Sequence, residues 1–109
     1  MAGAIVRGDI RLVSFPPPDK TRPVVVLTRD AVIASLGSVT VAPVSSSIRS
    51  LDSEVILDER DGMKSTCAVK LHSTTTLPKC RLGMRIAQLS PAKMEQICSA
   101  LNFALGCDV

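Results

Sequence analysis

The sequence has no tryptophan and no tyrosine, and Phe15 and Phe103 are its only phenyl rings. A nucleic-acid grip made of stacked aromatic platforms is therefore hard to build, and such contacts must rest on arginine, hydroxyls and backbone amides. Histidine is nearly as scarce. His72 stands alone, which excludes a two-histidine acid/base pair within one chain. A GxSxG turn, a Walker loop, a dinucleotide fingerprint and HExxH are all missing. The acidic residues show no spacing suited to a magnesium cluster, so metal-dependent hydrolysis is disfavoured. No apolar run reaches the roughly 18 to 20 residues of a bilayer helix, and the stretch from Met1 to Arg7 is too short and too soon charged for a signal peptide. No membrane association and a cytoplasmic location are expected. The four cysteines, Cys67, Cys80, Cys98 and Cys107, form no CxxC pair and have no histidine at zinc-like spacing. Free thiols in a reducing compartment are the expectation.

What is present suits one small domain over residues 1–109, with Val, Ile and Leu spread along its length. Thirteen Lys and Arg against ten Asp and Glu leave a net charge of +3, which fits a polyanionic partner without demanding one. The segment from Gly8 to Phe15 reads as a half-buried strand, and Pro16-Pro17-Pro18 ends it because proline cannot donate to a ladder. Residues 16–22 form a stiff polar loop carrying Asp19, Lys20 and Arg22. The run Val24-Val25-Val26-Leu27 suits a strand buried on both faces. Asp30 is expected to cap a short helical turn to Ser35, and a third strand over Val39–Val44 leads into Ser45-Ser46-Ser47 and Ile48-Arg49. Further strands are expected over Glu54–Asp58, over Cys67–Leu71 after an Asp61-Gly62 turn, and over Thr74–Leu77 until Pro78 breaks it. Ser90 as N-cap, Pro91 at the first helical position and Gly106 as the stop frame a helix. Its apolar stripe is Met94, Ile97, Cys98, Leu101, Ala104 and Leu105. The order of elements predicts a mainly β fold, a small antiparallel barrel or sandwich with a C-terminal α-helix.

The chemistry left by these absences is that of arginine and hydroxyl groups. Cleaving RNA without a metal requires the 2′-hydroxyl to attack the adjacent phosphate while charge builds on the phosphorane oxygens. A guanidinium binds two phosphate oxygens at once, and a serine or threonine hydroxyl adds a neutral hydrogen bond beside it. With a pKa above about 12, arginine suits this electrostatic role better than that of a general base.

Four stretches at matching intervals carry a resemblance: Arg7-Gly8-Asp9-Ile10, the run from Thr21 to Leu27, the run from Val39 to Ser45, and the helix start Leu89-Ser90-Pro91-Ala92-Lys93-Met94. Together they resemble the MazF/PemK toxins over about residues 6 to 106. The resemblance implies an SH3-like barrel with a C-terminal helix, a homodimer, and a cofactor-independent endoribonuclease. Such an enzyme cuts single-stranded RNA to leave a 2′,3′-cyclic phosphate or 3′-phosphate and a 5′-hydroxyl. It also implies inhibition by a cognate MazE-like antitoxin. Carried over, the catalytic pair is Arg22 and Ser45. Lys20, Thr21, Ser46, Ser47 and Arg49 are candidate RNA contacts, and His72 is a candidate for RNA contact or proton transfer. Many members have a Gly-Ser-Glu-Gln-like stretch before the arginine where this chain has Pro16 to Thr21, so the bases it reads are expected to differ. Where many have an acidic residue and Gln or Asn after the fifth strand, this chain has His72-Ser73. The alternative, a CcdB-like poison of DNA gyrase acting by binding, depends on a tryptophan that this chain lacks.

Overall fold

The computed structural model describes residues 4–18 and 20–107. Asp19 of the proline-rich loop, the Met1-Ala2-Gly3 start and the Asp108-Val109 end lie outside the described residues. Seven strands form one sheet: β1 (Asp9–Ser14), β2 (Thr21–Val26), β3 (Ser38–Ser45), β4 (Glu54–Leu57), β5 (Cys67–Lys70), β6 (Thr75–Pro78) and β7 (Leu82–Gln88). Two helices complete it, the four-residue α1 (Asp30–Ile33) and the terminal α2 (Pro91–Leu105). The strand path runs β4-β5-β3-β2-β1-β7, with β6 paired to β3. Every pairing is antiparallel, and β4 and β7 are not paired with each other among the described residues. The expected mainly β fold with one closing helix is what the structure shows.

β3 organises the sheet. Its first half pairs with β6, Val39 opposite Leu77, and its end pairs with β5, Ser45 opposite Ala68. On β2, Val24, Val25 and Val26 are all fully buried. Because successive side chains leave a strand on opposite faces, Val25 joins Ile10, Val69 and Ile97 in one cluster, while Val24 and Val26 join Val13, Val39 and Leu82 in another. Each such valine contributes about 1.5 to 3 kcal/mol by leaving water, so β2 is pinned between two cores.

Helix α2 behaves as its punctuation predicts. The Ser90 hydroxyl accepts from the Lys93 amide at 3.1 Å, Pro91 opens the first turn, and Gly106 closes it at φ +71°. Met94, Ile97 and Ala100 are the buried face. The expected stripe fails at its end, where Leu105 is exposed while Leu101 and Ala104 still pack on the core. Two other expectations change. The N-cap of α1 is Arg29, not Asp30, whose carboxylate instead accepts from the Arg7 amide at 2.7 Å. Leu71, expected to end the fifth strand, instead opens a single 3-10 turn, Leu71–Ser73, that carries His72. No local signal marks the β7 strand, and Pro78 is the last residue of β6 rather than a break after it.

Candidate active site

The Arg7-Gly8-Asp9 stretch is structural. Arg7 donates from Nε to the Leu27 carbonyl at 3.2 Å and from a terminal nitrogen to the Cys98 sulfur at 2.9 Å, tying the entry of β1 to β2 and α2. Asp9 is fully buried and paired at 3.1 Å with Arg11 on the same strand face.

The start of β2 and the end of β3 bring Arg22 and Ser45 to the same place. β2 pairs with β3 with Val26 opposite Val41, Val25 opposite Ala42 and Val24 opposite Pro43. The pairing ends there, since Val44 and Ser45 go on to pair with β5, and Arg22 and Ser45 lie two residues beyond it on their own strands. Both side chains line the same two grooves, of about 770 and 470 Å³. Arg22 and Ser45 thus form the ridge between two concavities of ligand-binding size. Arg22 is exposed and Ser45 half-buried, an accessible guanidinium beside a fixed hydroxyl.

The other candidates distribute on either side of that ridge. Lys20, Thr21 and Ser46 line the larger groove, and Ser47, Arg49 and His72 line the smaller one. Lys20 adopts a left-handed backbone at φ +57°, and its carbonyl accepts from the Phe15 amide at 2.8 Å, closing the proline-rich loop on itself. The Ser45 Oγ accepts from the Ser47 amide at 3.1 Å, which leaves its proton for another acceptor. His72 Nδ1 and the Ser53 hydroxyl are 2.7 Å apart, so the imidazole is held at the rim of the smaller groove.

Other side chains at the site carry no signal in the sequence. Lys64 and Met63 line the larger groove, and Phe15, Thr75 and Lys70 line the smaller. Phe15 has the Arg81 guanidinium over its ring at 5.9 Å. Lys70 is buried on β5 and paired with Glu54 of β4, which sits directly opposite it in the ladder. The Lys70 ammonium lowers the Glu54 carboxyl from an ordinary 4.5 to about 2, aided by the amides of Leu51 and Arg49 and opposed by its burial. A lysine inside a buried strand facing a glutamate on a neighbouring strand is a signal only once the register is known. Cys67, beneath the larger groove, has its thiol pushed up by burial and by the negative charges of Asp61 and Asp58.

Chemically the ridge offers cations and hydroxyls. Among the described residues no group of three or more His, Cys, Asp or Glu is placed to hold a metal ion. The described helices include none long and apolar enough to cross a membrane.

Residues 6–105 match the family model of the PemK-like, MazF-like toxin of type II toxin-antitoxin systems. The chain is similar to endoribonuclease MazF3 of Mycobacterium tuberculosis, at 37% identity over 90 residues, covering 83% of this chain and 87% of that protein. Among solved structures it is similar to Mycobacterium tuberculosis toxin MazF-mt6, with a TM-score of 0.84 and 34% identity over 93% of this chain and 99% of that one. It also shares its fold with an endoribonuclease from a mycobacterial species solved in complex with its cognate antitoxin. That likeness has a TM-score of 0.86 and 23% identity over 97% of this chain and 99% of the other.

Proposed function

This chain belongs to the PemK-like, MazF-like toxins of type II toxin-antitoxin systems and is an endoribonuclease of that family, and from that premise we propose how it cuts. A single RNA strand crosses the ridge between the two grooves with its scissile phosphate against Arg22 and Ser45. The 2′-oxygen bonds to phosphorus as its proton leaves, and the bond from phosphorus to the 5′-oxygen breaks as that oxygen takes up a proton. The products are a 2′,3′-cyclic phosphate, or the 3′-phosphate from its hydrolysis, and a 5′-hydroxyl. The Arg22 fork neutralises the charge growing on the non-bridging oxygens, and Ser45 donates one hydrogen bond to them. No metal ion and no cofactor take part. Lys20, Thr21 and Ser46 on one side, and Ser47, Arg49 and His72 on the other, hold the flanking nucleotides.

The observation that carries this reading is the sharing of both grooves by Arg22 and Ser45. The whole chain acts as one toxin domain in the cytoplasm, working as a homodimer that a cognate MazE-like antitoxin holds inactive. The family match and the antitoxin complex of the related fold support this regulation. On β7, Met84 and Ile86 stay exposed, apolar area that a second copy of the chain would cover.

The test is a long single-stranded RNA incubated with the purified protein in EDTA, followed by mapping of the new ends. Discrete cuts with 5′-hydroxyl ends, absent in Arg22→Ala, are expected. Cutting that stops in EDTA, or that Arg22→Ala leaves untouched, overturns the mechanism.

A further inference from the structure

The loop that follows Ser45 is fastened by a buried ion pair to which the cleavage step assigns no role. After β3 the chain makes an exposed excursion through residues 46–52 before β4 begins. Exposed serines and an arginine have little apolar area with which to hold a conformation. Three ties hold it instead. The Lys70 ammonium donates to the Ser47 carbonyl. One oxygen of the Glu54 carboxylate accepts from the amides of Arg49 at 3.0 Å and Leu51 at 3.2 Å. The other oxygen holds Lys70 itself.

The geometry places this clamp one step from the chemistry. Ser47, whose carbonyl Lys70 grips, donates its own amide to Ser45 Oγ. That amide occupies one lone pair of the hydroxyl, so the proton of Ser45 is directed by where the Ser46–Ser47 peptide stands, and the next peptide along is the one that Lys70 grips. Both charges are nearly buried, at 10% and 1% side-chain exposure, and desolvating them is costly unless the pair is complete and its remaining valences are filled. Here they are filled by loop backbone, which makes the pair a brace for the loop rather than a surface ornament.

We propose that Glu54 and Lys70 are positioning residues that lock the loop from Ser46 to Leu51 so that the Ser45 hydroxyl faces the scissile phosphate and Arg49 the flanking nucleotide. The proposal rests on the reading that Ser45 touches that phosphate. Arg49 is affected directly, because its amide is tied to Glu54 while its side chain lines the smaller groove. The clamp acts on the rate of cutting more than on RNA capture, since Arg22 and Lys20 lie outside the loop and retain their places on β2 and the loop before it.

The experiment compares Lys70→Met, Lys70→Arg and Glu54→Gln with the full-length wild type, using a fluorogenic RNA in EDTA and amide hydrogen exchange at Ser47 and Arg49. Lys70→Met is expected to lower kcat by about tenfold to a hundredfold while KM stays within about threefold, the pattern of a misplaced group. Lys70→Arg is expected to recover most of the loss, and Ser47 exchange is expected to quicken in Lys70→Met but not in Lys70→Arg. Glu54→Gln is expected to lower kcat in the same sense and to quicken exchange at Arg49. In a Ser45→Ala background, adding Lys70→Met is expected to cost no further rate. A kcat at the wild-type level in folded Lys70→Met overturns the proposal. So does a loss confined to KM with a shallower salt dependence, which identifies Lys70 as a direct phosphate contact. Lys70→Met leaves a carboxylate buried without its partner and is at risk of unfolding. The combined Glu54→Gln and Lys70→Met chain removes both charges and carries the same prediction. Ser45→Ala cutting at the wild-type rate defeats the reading of the site and the clamp's role together, whereas unchanged exchange at Ser47 defeats the clamp alone.

Discussion

Arg11 lays its guanidinium against the Asp9 carboxylate at 3.1 Å, with the two side chains 2% and 0% exposed. The pair is completed by its surroundings. Asp9 accepts from the Val6 amide and the Gln88 side chain, and Arg11 donates to the carbonyls of Gly83 and Ala4. It therefore welds the start of the described chain to β1 and β7. Removing Arg11 leaves the buried Asp9 with only the half-exposed Arg85, 3.7 Å away, as a counter-charge, so Arg11→Met is expected to cost about 3 kcal/mol in urea unfolding, the lower end of the range for a broken buried pair. Asp9→Asn combined with Arg11→Met is expected to cost less than Arg11→Met alone. A single-variant loss below about 1 kcal/mol, the range of exposed pairs, contradicts the account.

Gly62 provides a second stability test next to the larger groove. It turns the chain after the Glu59–Asp61 turn at φ +92°, and a Cβ there would meet the Ala87 Cβ at 2.9 Å. Gly62→Ala combines left-handed strain with that clash, and a loss of about 1 to 3 kcal/mol is expected from thermal unfolding. Gly37, where an added Cβ meets nothing within 4 Å, is the control. Equal melting shifts for the two alanine variants count against the geometry at Gly62.

Much of this architecture is legible in the sequence because local and long-range demands coincide. Val24, Val25 and Val26 read as a two-faced strand because a branched apolar run between turn signals has no other stable home, and both cores bear that out. Ser90, Pro91 and Gly106 mark α2 by backbone chemistry that needs no tertiary partner. β7 is not legible. Leu82 is buried, but Met84, Arg85 and Ile86 are exposed, so no alternation betrays it, and its strand character comes from pairing with β1 far away in the chain. Asp30 misleads for a similar reason, since the amide it serves belongs to Arg7. Within the site, Arg22 and Ser45 stand out through the motifs around them. Glu54 and Lys70 do not, because only the ladder between β4 and β5 makes them neighbours.

The fork of Arg22 gives a sharper test than its removal. Lysine keeps the positive charge but supplies a point donor in place of two parallel N–H groups. Arg22→Lys is therefore expected to bind RNA nearly as well by fluorescence anisotropy with an uncleavable 2′-deoxy substrate. Its cleavage rate is expected to fall by about tenfold or more, about 1.4 kcal/mol of barrier. If binding and rate fall together by the same factor, Arg22 serves capture rather than the transition state.

Acid provides the last test, through Glu54. Its carboxyl is lowered by Lys70 from 4.5 to about 2, so the folded state holds this group ionised where the unfolded chain would protonate it. The unfolded state then binds more protons between those values, and stability falls as pH falls. The contribution is fully present above pH 4.5 and is lost on the way down to about 2. Comparing wild type with Glu54→Gln isolates it, because the other carboxylates titrate in both chains. The difference in melting temperature between them is expected to be constant at neutral pH and to shrink only inside that window. A difference that begins to shrink well above pH 4.5 means that the Lys70 ammonium does not hold Glu54 ionised, and the brace on the Ser45 loop loses its electrostatic basis.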